Sequence, residues 1–263
     1  MSNIHPSSIV EKGAKIHESV KIGPFCLIGA DVEIGAETIL HSHIVVSGHT
    51  KIGEGNKFFQ GCSIGAPPQD NSYKGEPTRT LIGNNNTFRE YCSVHRGTLK
   101  ENHITTIGDN NLFMAYVHIG HDVLMGNHCT IANSTNFAGH VRVGDRVGIG
   151  GGTNIQQWVS LGRGAYIGGA TALDRDIPSF CTAIGNRAHL KGINIIGMKR
   201  QGYSKQEISE VVDFLRTIES SNISPRSFVE NSEHMSEFKD NRVVIEMVEQ
   251  IKKSEIGIAP FNP

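Results

Sequence analysis

Histidines are the residues of this chain with the clearest chemical potential. The sequence has thirteen, of which His95, His118, His121 and His140 are the candidates for chemistry, and His121 is followed directly by Asp122. A neutral imidazole accepts a proton near pH 7, and a neighbouring carboxylate fixes its tautomer and stabilises the charged form. The pattern predicts that His121 acts as a general base, with Asp122 beside it.

The nucleophile for such a base is expected to come from the substrate. No serine or cysteine stands in a Gly-x-Ser-x-Gly elbow, so a substrate hydroxyl activated by histidine is favoured over a covalent enzyme intermediate. Transfer of an acyl group from a thioester also needs a backbone N–H for the oxyanion. Gly139, next to His140, is a position that could expose one.

Metal binding is the competing use of clustered histidines. The γ-class carbonic anhydrases place two zinc-binding histidines of one chain at a wider spacing than His118 and His121, and no histidine follows here at 123 or 126. We therefore expect no metal, and the sequence indicates no other cofactor.

Apolar residues recur at every sixth position and define the elements that must hold these histidines. A period of six fits neither a helix nor simple strand alternation, so it indicates a repeating unit with turns at fixed intervals. Three such units make a triangular coil whose backbone pairs with the next coil as in parallel strands. The series is Ile4, Val10, Ile16, Ile22, Ile28, Ile34, Leu40, Val46, Ile52, Phe58, Ile64, Ile82, Phe88, Val94, Ile107, Phe113, Ile119, Met125, Ile131, Phe137, Val143, Ile149, Ile155, Leu161, Ile167 and Leu173.

This repeat predicts one elongated all-β solenoid over residues 1–190. Glycine and asparagine, as at Gly23, Gly108 and Asn110, are expected at corners with left-handed backbone angles. The register breaks at about 66–81 and again at about 95–106. Insertions in solenoids cluster on the binding face, so both segments are expected near the functional site.

The C-terminal part, residues 191–263, has a different pattern. Ser204 and Glu207 form a capping-box pattern ahead of an apolar stripe at helical spacing, and Ser224-Pro225 resembles another helix start. A later apolar stripe runs from Val243 to Ile251. We expect a small helical domain that caps one end of the prism.

Composition excludes several classes of partner. The formal charge is −1 and the pI is about 6.9, which argues against nucleic-acid binding and stable membrane insertion. The first repeat begins near the N-terminus with no basic, apolar targeting segment, and no run of eighteen apolar residues occurs. A cytoplasmic location is expected.

Several motifs together resemble the UDP-N-acetylglucosamine O-acyltransferases that begin lipid A biosynthesis, over essentially the whole chain. The matching segments are Ile22-Gly23-Pro24-Phe25-Cys26, Gly75-Glu76-Pro77-Thr78-Arg79, His95-Arg96-Gly97-Thr98, His118-Ile119-Gly120-His121-Asp122, Ala138-Gly139-His140-Val141, Gly192-Ile193-Asn194 and Gly197-Met198-Lys199-Arg200. The hexad alone is shared by many acyltransferases. The Gly-Glu-Pro-Thr-Arg loop, His-x-x-His-Asp and the helical C-terminal part are specific in combination.

The resemblance implies a homotrimer of left-handed parallel β-helices with active clefts between subunits. The donor would be a 3-hydroxyacyl chain on acyl carrier protein and the acceptor the glucosamine 3-hydroxyl of UDP-GlcNAc. His121 matches the family's general base, with Asp122 beside it, and Gly139 matches its oxyanion donor. Residues that match positions contacting the sugar, acyl chain or nucleotide are Gln69, Asp70, His95, His118, His140, Gln157, Asn194 and Arg200.

Some positions depart from the family pattern. Gln156, Ser72, Ile196, Arg187 and Gln201 replace a histidine, a lysine, a glutamate, a histidine and an arginine that are common there. Gln156 and Ser72 are the only support for one alternative, a related N-acyltransferase for a 3-amino sugar nucleotide. A second alternative is a non-catalytic prism that binds a nucleotide sugar or carrier protein, against which the intact His121-Asp122 pair argues. Gly169 lies at the level where the family limits acyl length, and the missing side chain favours a longer donor.

Overall fold

The computed structural model describes residues 3–221 and 223–261, and short strands dominate it up to residue 193. In chain order they are β1 (Ile9–Val10), β2 (Lys15–Ile16), β3 (Lys21–Ile22), β4 (Leu27–Ile28), β5 (Glu33–Ile34), β6 (Ile39–Leu40), β7 (Val45–Val46), β8 (His49–Ile52), β9 (Lys57–Phe58), β10 (Ser63–Ala66), β11 (Arg79–Ile82), β12 (Thr87–Phe88), β13 (Ser93–His95), β14 (Ile104–Ile107), β15 (Leu112–Phe113), β16 (His118–Ile119), β17 (Leu124–Met125), β18 (Thr130–Ile131), β19 (Asn136–Phe137), β20 (Arg142–Val143), β21 (Gly148–Ile149), β22 (Asn154–Ile155), β23 (Ser160–Leu161), β24 (Tyr166–Ile167), β25 (Ala172–Leu173), β26 (Cys181–Ile184) and β27 (His189–Ile193).

Every third strand belongs to the same sheet, so the chain winds around three faces. Sheet 1 runs from β1 through β4, β16 and β19 to β25, sheet 2 from β2 through β14 and β17 to β23, and sheet 3 from β3 through β18 and β24 to β27. Among the strands described, neighbours pair in parallel, except for the antiparallel pair β26 and β27. This is the triangular parallel β-helix that the period of six predicts.

The core is the hexad series itself. From Ile22 to Leu173 every position of the series is buried, whereas Ile4, Val10 and Ile16, in the first coil, are only partly buried. Identical positions of successive coils stack, as in Phe58, Phe88 and Phe113, whose ring centroids are 4.7 and 4.5 Å apart. The prism therefore buries one continuous apolar column along its axis.

A second buried position lies two residues before each hexad position, and the period of six did not reveal it. In three successive coils this position is occupied by Asn56, Asn86 and Asn111. Each side-chain oxygen accepts a hydrogen bond from a backbone N–H of the next coil at 2.7–2.9 Å. On sheet 1 the same repeat position holds Cys62 and Cys92. Amide ladders of this kind satisfy backbone donors that the short strands leave unpaired.

The expected reason for the repeat glycines is wrong. Asn110 has the predicted left-handed φ of 59°, but Gly23 and Gly108 are absent from the residues with positive φ. A β-carbon on Gly23 would lie 2.1 Å from the carbonyl oxygen of His41, and one on Gly108 would lie 2.7 Å from that of Gly126. These glycines are needed because successive coils approach each other closely, and most left-handed corners carry side chains, as at Asp122 and His140.

Both insertions leave the prism at the same kind of corner. Residues 67–78 connect β10 to β11 and residues 96–103 connect β13 to β14, in each case from sheet 1 to sheet 2. Ile64 and Ile82 thus lie on successive faces, and the first insertion replaces one corner. We call this edge of the prism the 1–2 corner; residues 120–123, 138–141 and 156–159 form it in later coils.

The C-terminal part is helical, as expected. It contains α1 (Ile195–Arg200), α2 (Lys205–Ser220), α3 (Pro225–Glu230), α4 (Ser232–Met235) and α5 (Arg242–Lys253). The capping box of Ser204 and Glu207 begins α2, and Ser224 caps α3. No helix among the described residues is long and apolar enough to cross a membrane.

Polar contacts join the helices to the last coils. Arg163 of the prism pairs with Glu246 of α5 at 2.5 Å, and Ser179 donates its hydroxyl to the same carboxylate at 2.7 Å. The domain boundary between residues 190 and 191 stays a prediction, since β27 extends across it. The last two residues of the expected domain lie outside the described range.

Candidate active site

The predicted base lies at the 1–2 corner. His121 and Asp122 follow β16, and Gly139 and His140 occupy the same corner one coil further on. Parallel pairing between β16 and β19 fixes the two coils in register, with His118 opposite Asn136. The repeat therefore brings together residues that are eighteen or more positions apart in the sequence.

His121 and Asp122 form a buried pair. Nδ1 of the imidazole lies 2.9 Å from Oδ2 of the carboxylate, and both side chains are at most 6% exposed. The left-handed φ of 59° at Asp122 turns its carboxylate back toward the neighbouring imidazole. A proton on Nδ1 would leave Nε2 with the lone pair that a general base needs.

The second insertion holds the carboxylate of Asp122 from its other side. The backbone N–H of Thr98 donates to both carboxylate oxygens at 2.9 and 3.0 Å, and its hydroxyl donates to Oδ2 at 2.7 Å. Burial alone would raise the pKa of Asp122, but the hydrogen bonds from His121 and Thr98 outweigh it and hold the pKa below its ordinary value. Asp122 is therefore an ionised partner for His121 at neutral pH.

Gly139 lies directly against the imidazole of His121. A β-carbon at this position would stand 2.4 Å from Cε1 and 2.7 Å from Nε2 of His121. The amide of Gly139 donates to no acceptor within the described part of the chain. A hydrogen-bond donor and the free edge of a base thus lie side by side, which is the arrangement that acyl transfer requires.

His140 has its own carboxylate partner. Its Nδ1 lies 2.9 Å from Oε2 of Glu101 in the second insertion, and Glu101 also pairs with Arg142. The ring stacks on Trp158 with centroids 3.9 Å apart and planes 2° apart. It packs edge-to-face against the ring of His121, with centroids 5.0 Å apart.

His95 and His118 form the next part of the cluster. Burial, aided by His118 and His121, lowers the pKa of His95 to about 4, and burial together with His121 lowers the pKa of His118. Nδ1 of His118 lies 2.8 Å from the hydroxyl of Ser93. Nδ1 of His95 is buried with no partner among the residues described. Both rings are therefore neutral hydrogen-bonding groups at pH 7.

A cavity of about 550 Å³ runs along sheet 1 in front of these groups. Of the sequence-predicted residues, it brings together Gln69, His95, His118, His121, Gly139 and Gln157. Gln156 and Arg187, two of the departures from the family pattern, also line it.

Six predicted residues do not line this cavity: Asp122, Asp70, His140, Asn194, Arg200 and Gly169. Asp70 forms an ion pair with Lys100 at 2.6 Å, and this contact, together with Ser72, holds its pKa well below its ordinary value. His140 is buried, with 3% of its surface exposed. Asn194 and Arg200 line a separate cavity of about 990 Å³ on sheet 3, and Asn194 also caps α1.

Gly169 lies in the lining of neither cavity. A β-carbon there would come within 3.3 Å of the carbonyl oxygen of Gly151 in the preceding coil.

Within the described ranges of the chain, the metal-binding alternative has one candidate group. Ligand atoms of His121, Asp122 and His140 lie within 4.8 Å of one another. Nδ1 of each imidazole already faces a carboxylate oxygen at 2.9 Å. The geometry therefore matches two hydrogen-bonded imidazole–carboxylate pairs.

Sequence reasoning missed Thr98, Glu101, Arg142 and Trp158. Thr98 belongs to the His95-Arg96-Gly97-Thr98 motif, so the sequence does contain a signal for its hydroxyl. Glu101 lies in an insertion without periodicity, and nothing in the sequence indicates which side chain it reaches.

Known proteins resemble this chain in sequence and in structure. Residues 176–259 match the family described as UDP N-acetylglucosamine O-acyltransferase, domain 2, and residues 13–48 and 104–139 match bacterial transferase hexapeptide repeats. The acyl-[acyl-carrier-protein]–UDP-N-acetylglucosamine O-acyltransferase of Thermodesulfovibrio yellowstonii is 44% identical over 209 residues, 80% of this chain and 81% of that protein.

Two solved structures are similar over nearly their whole length. The UDP-N-acetylglucosamine acyltransferase of Francisella novicida has a TM-score of 0.93 at 34% identity, and the match covers 99% of this chain and 94% of that one. LpxA from Acinetobacter baumannii has a TM-score of 0.92 at 43% identity, with 98% and 99% covered.

Fold and site together define a hexapeptide-repeat acyltransferase, a left-handed parallel β-helix with a helical C-terminal part. Within that class, identity over most of the chain and the match to the C-terminal domain are decisive. The chain belongs to the UDP-N-acetylglucosamine O-acyltransferase family.

Proposed function

We propose that the chain transfers a 3-hydroxyacyl group from acyl carrier protein to the glucosamine 3-hydroxyl of UDP-GlcNAc, the first step of lipid A biosynthesis. The observation that carries the proposal is the close packing of Gly139, whose amide donates to no described acceptor, against the imidazole of the His121–Asp122 pair. The relative from T. yellowstonii carries the name of this reaction.

In this mechanism Nε2 of His121 takes the proton from the sugar hydroxyl as its oxygen attacks the thioester carbonyl carbon. Asp122 stabilises the imidazolium that forms. The Gly139 N–H donates to the oxyanion of the tetrahedral intermediate. When the intermediate collapses, the C–S bond breaks, and the carrier thiolate leaves and recovers the proton from His121.

The remaining residues are proposed to hold the substrates. Gln69, His95, His118 and Gln157, which line the cavity on sheet 1, would contact the sugar and the acyl chain, together with Asp70 and His140. Asn194 and Arg200 would contact the nucleotide and the acyl-donor side.

A homotrimer follows from this assignment. The base faces a cavity on sheet 1, whereas Asn194 and Arg200 face a cavity on sheet 3 of the same chain. Residues on two different faces of a prism contact one substrate only if a second copy supplies one of the faces. A three-fold arrangement repeats that contact and closes the ring. Acidic acyl carrier protein would meet Lys191, Lys199 and Arg200, in the cytoplasm.

The experiment is acyl transfer from 3-hydroxyacyl carrier proteins of several chain lengths, with UDP-GlcNAc and its 3-amino analogue competing in one assay. The proposal expects an ester at the 3-hydroxyl of UDP-GlcNAc. Preference for the amine would establish the N-acyltransferase alternative, and absence of transfer to either acceptor would favour a binding protein. Gly169 predicts best turnover with a long donor, and best turnover with a short one would contradict that part.

A further inference from the structure

Three side chains of residues 98–101 attach the second insertion to neighbouring parts of the protein. Thr98 holds the carboxylate of Asp122, and Lys100 pairs with Asp70 of the first insertion. Glu101 reaches two residues one coil beyond His121, pairing with Nδ1 of His140 and with Arg142. The proposed mechanism uses Asp122 but gives no role to Glu101.

Two imidazoles lie within reach of one carboxylate at this corner. Oδ2 of Asp122 is 2.9 Å from Nδ1 of His121 and 3.9 Å from Nδ1 of His140. All three side chains are nearly inaccessible to water, so an ionised carboxylate there attracts any N–H that can reach it. The only other acidic side chain that contacts His140 within the described chain is Glu101, at 2.9 Å.

Stacking against Trp158 restricts the His140 imidazole mainly to motion within the plane of its ring. Because the two rings are stacked almost parallel, with centroids 3.9 Å apart, the imidazole can slide and turn in its own plane more easily than it can tilt. The in-plane position of Nδ1 is therefore set by its hydrogen-bond acceptor. With Glu101 present, Nδ1 stays about one ångström outside hydrogen-bonding distance of Asp122.

We propose that Glu101 is a positioning residue that keeps His140 away from Asp122, so that the whole acceptor capacity of Asp122 remains with His121 and Thr98. The inference deepens the proposed function and rests on it, because it assumes that His121 is the base. Without Glu101, His140 turns toward Asp122 and weakens the hydrogen bond that orients His121.

The kinetic test is a double-mutant cycle between Glu101 and His140. Glu101→Ala is expected to lower kcat about ten-fold with little change in the KM for UDP-GlcNAc, a coupling typical of residues in one hydrogen-bond network. Glu101→Gln, which keeps an oxygen for Nδ1–H, should recover most of that loss. In a His140→Phe background, Glu101→Ala should have no further effect, because no imidazole remains to compete.

A merely structural role for Glu101 predicts a different result. If Glu101 only held the insertion through Arg142, then Arg142→Met would lower kcat as much as Glu101→Ala, and the loss would persist in the His140→Phe background. Either outcome would overturn the inference. Leu99→Ala is the control in the same insertion and should leave kcat unchanged, since that side chain is 53% exposed.

A readout without turnover separates this inference from the proposed function. Imidazole ¹⁵N NMR of the intact protein should show the Nδ1 resonances of both His140 and His121 displaced in Glu101→Ala, and only that of His140 displaced under a purely local role. If the wild type fails to transfer acyl groups, the proposed function fails, while these resonances still decide whether Glu101 isolates the His121–Asp122 pair.

Discussion

The imidazole of His121 lies so close to Gly139 that any side chain at position 139 would occupy its place. A β-carbon there would be 2.4 Å from Cε1 and 2.8 Å from Nδ1 of His121. In the proposed mechanism Gly139 therefore has two roles: its amide donates to the oxyanion, and its missing side chain leaves room for the base.

Gly139→Ala should therefore lower kcat about 100-fold while the protein stays folded. The methyl group displaces the imidazole from the amide, and loss of one such element typically costs two to three orders of magnitude. Gly29→Ala is the matched control at the 1–2 corner of an early coil, because a β-carbon there meets its nearest neighbour at 3.4 Å. Equal activity of Gly139→Ala and Gly29→Ala would contradict the arrangement.

His95 should make stability depend on pH between about 6.5 and 4. The unfolded chain takes up a proton at His95 near pH 6.5, whereas burial keeps the folded-state pKa at about 4. The unfolded state binds more protons in this window, so stability from this group is fully present above it and declines as the pH falls.

Urea unfolding at pH 7 and pH 5 checks the prediction. His95→Gln should lose less stability than the wild type between the two values, whereas His49→Gln, on an exposed strand position, should match the wild type. The prediction fails if His95→Gln and the wild type lose the same amount.

Truncating Phe88 should cause one of the largest losses of stability among core substitutions. It is fully buried and stacks between Phe58 and Phe113. Phe88→Ala is expected to lower the free energy of unfolding by about 3–5 kcal/mol, and Phe88→Leu, which keeps most of the volume, by about 1 kcal/mol. Denaturant unfolding measures both, and similar small losses would mean that the column is not tightly packed.

The sequence predicts the architecture well because each inward apolar residue marks one short strand, and each strand forms one face of a coil. A period of six therefore fixes the sheets, the core series and the corner at which the insertions emerge. It does not predict the second buried column, since Asn56, Cys62 and Val117 share a location but no residue type. The close approach of successive coils at Gly23 depends on backbone geometry, which cannot be predicted from the spacing of apolar residues.

The site is predictable only where the repeat carries it. His121, Gly139 and His140 follow from the register, because successive coils place like positions one above another. Thr98 and Glu101 reach the site from an irregular insertion, and Trp158 stacks on His140 from the outside, with 48% of its surface exposed. The separation of Asn194 and Arg200 from His121 on one chain follows from their location on a different face.

The most direct test of the central claim compares His121→Ala with wild type in acyl transfer from 3-hydroxyacyl carrier protein to UDP-GlcNAc. His49→Ala is the control, since that imidazole also lies near a carboxylate, Asp31, at 3.9 Å, but at an exposed site. We predict that kcat falls by about 10²–10⁴-fold in His121→Ala and is unchanged in His49→Ala. A rate in His121→Ala equal to that of the wild type would contradict the assignment of the base.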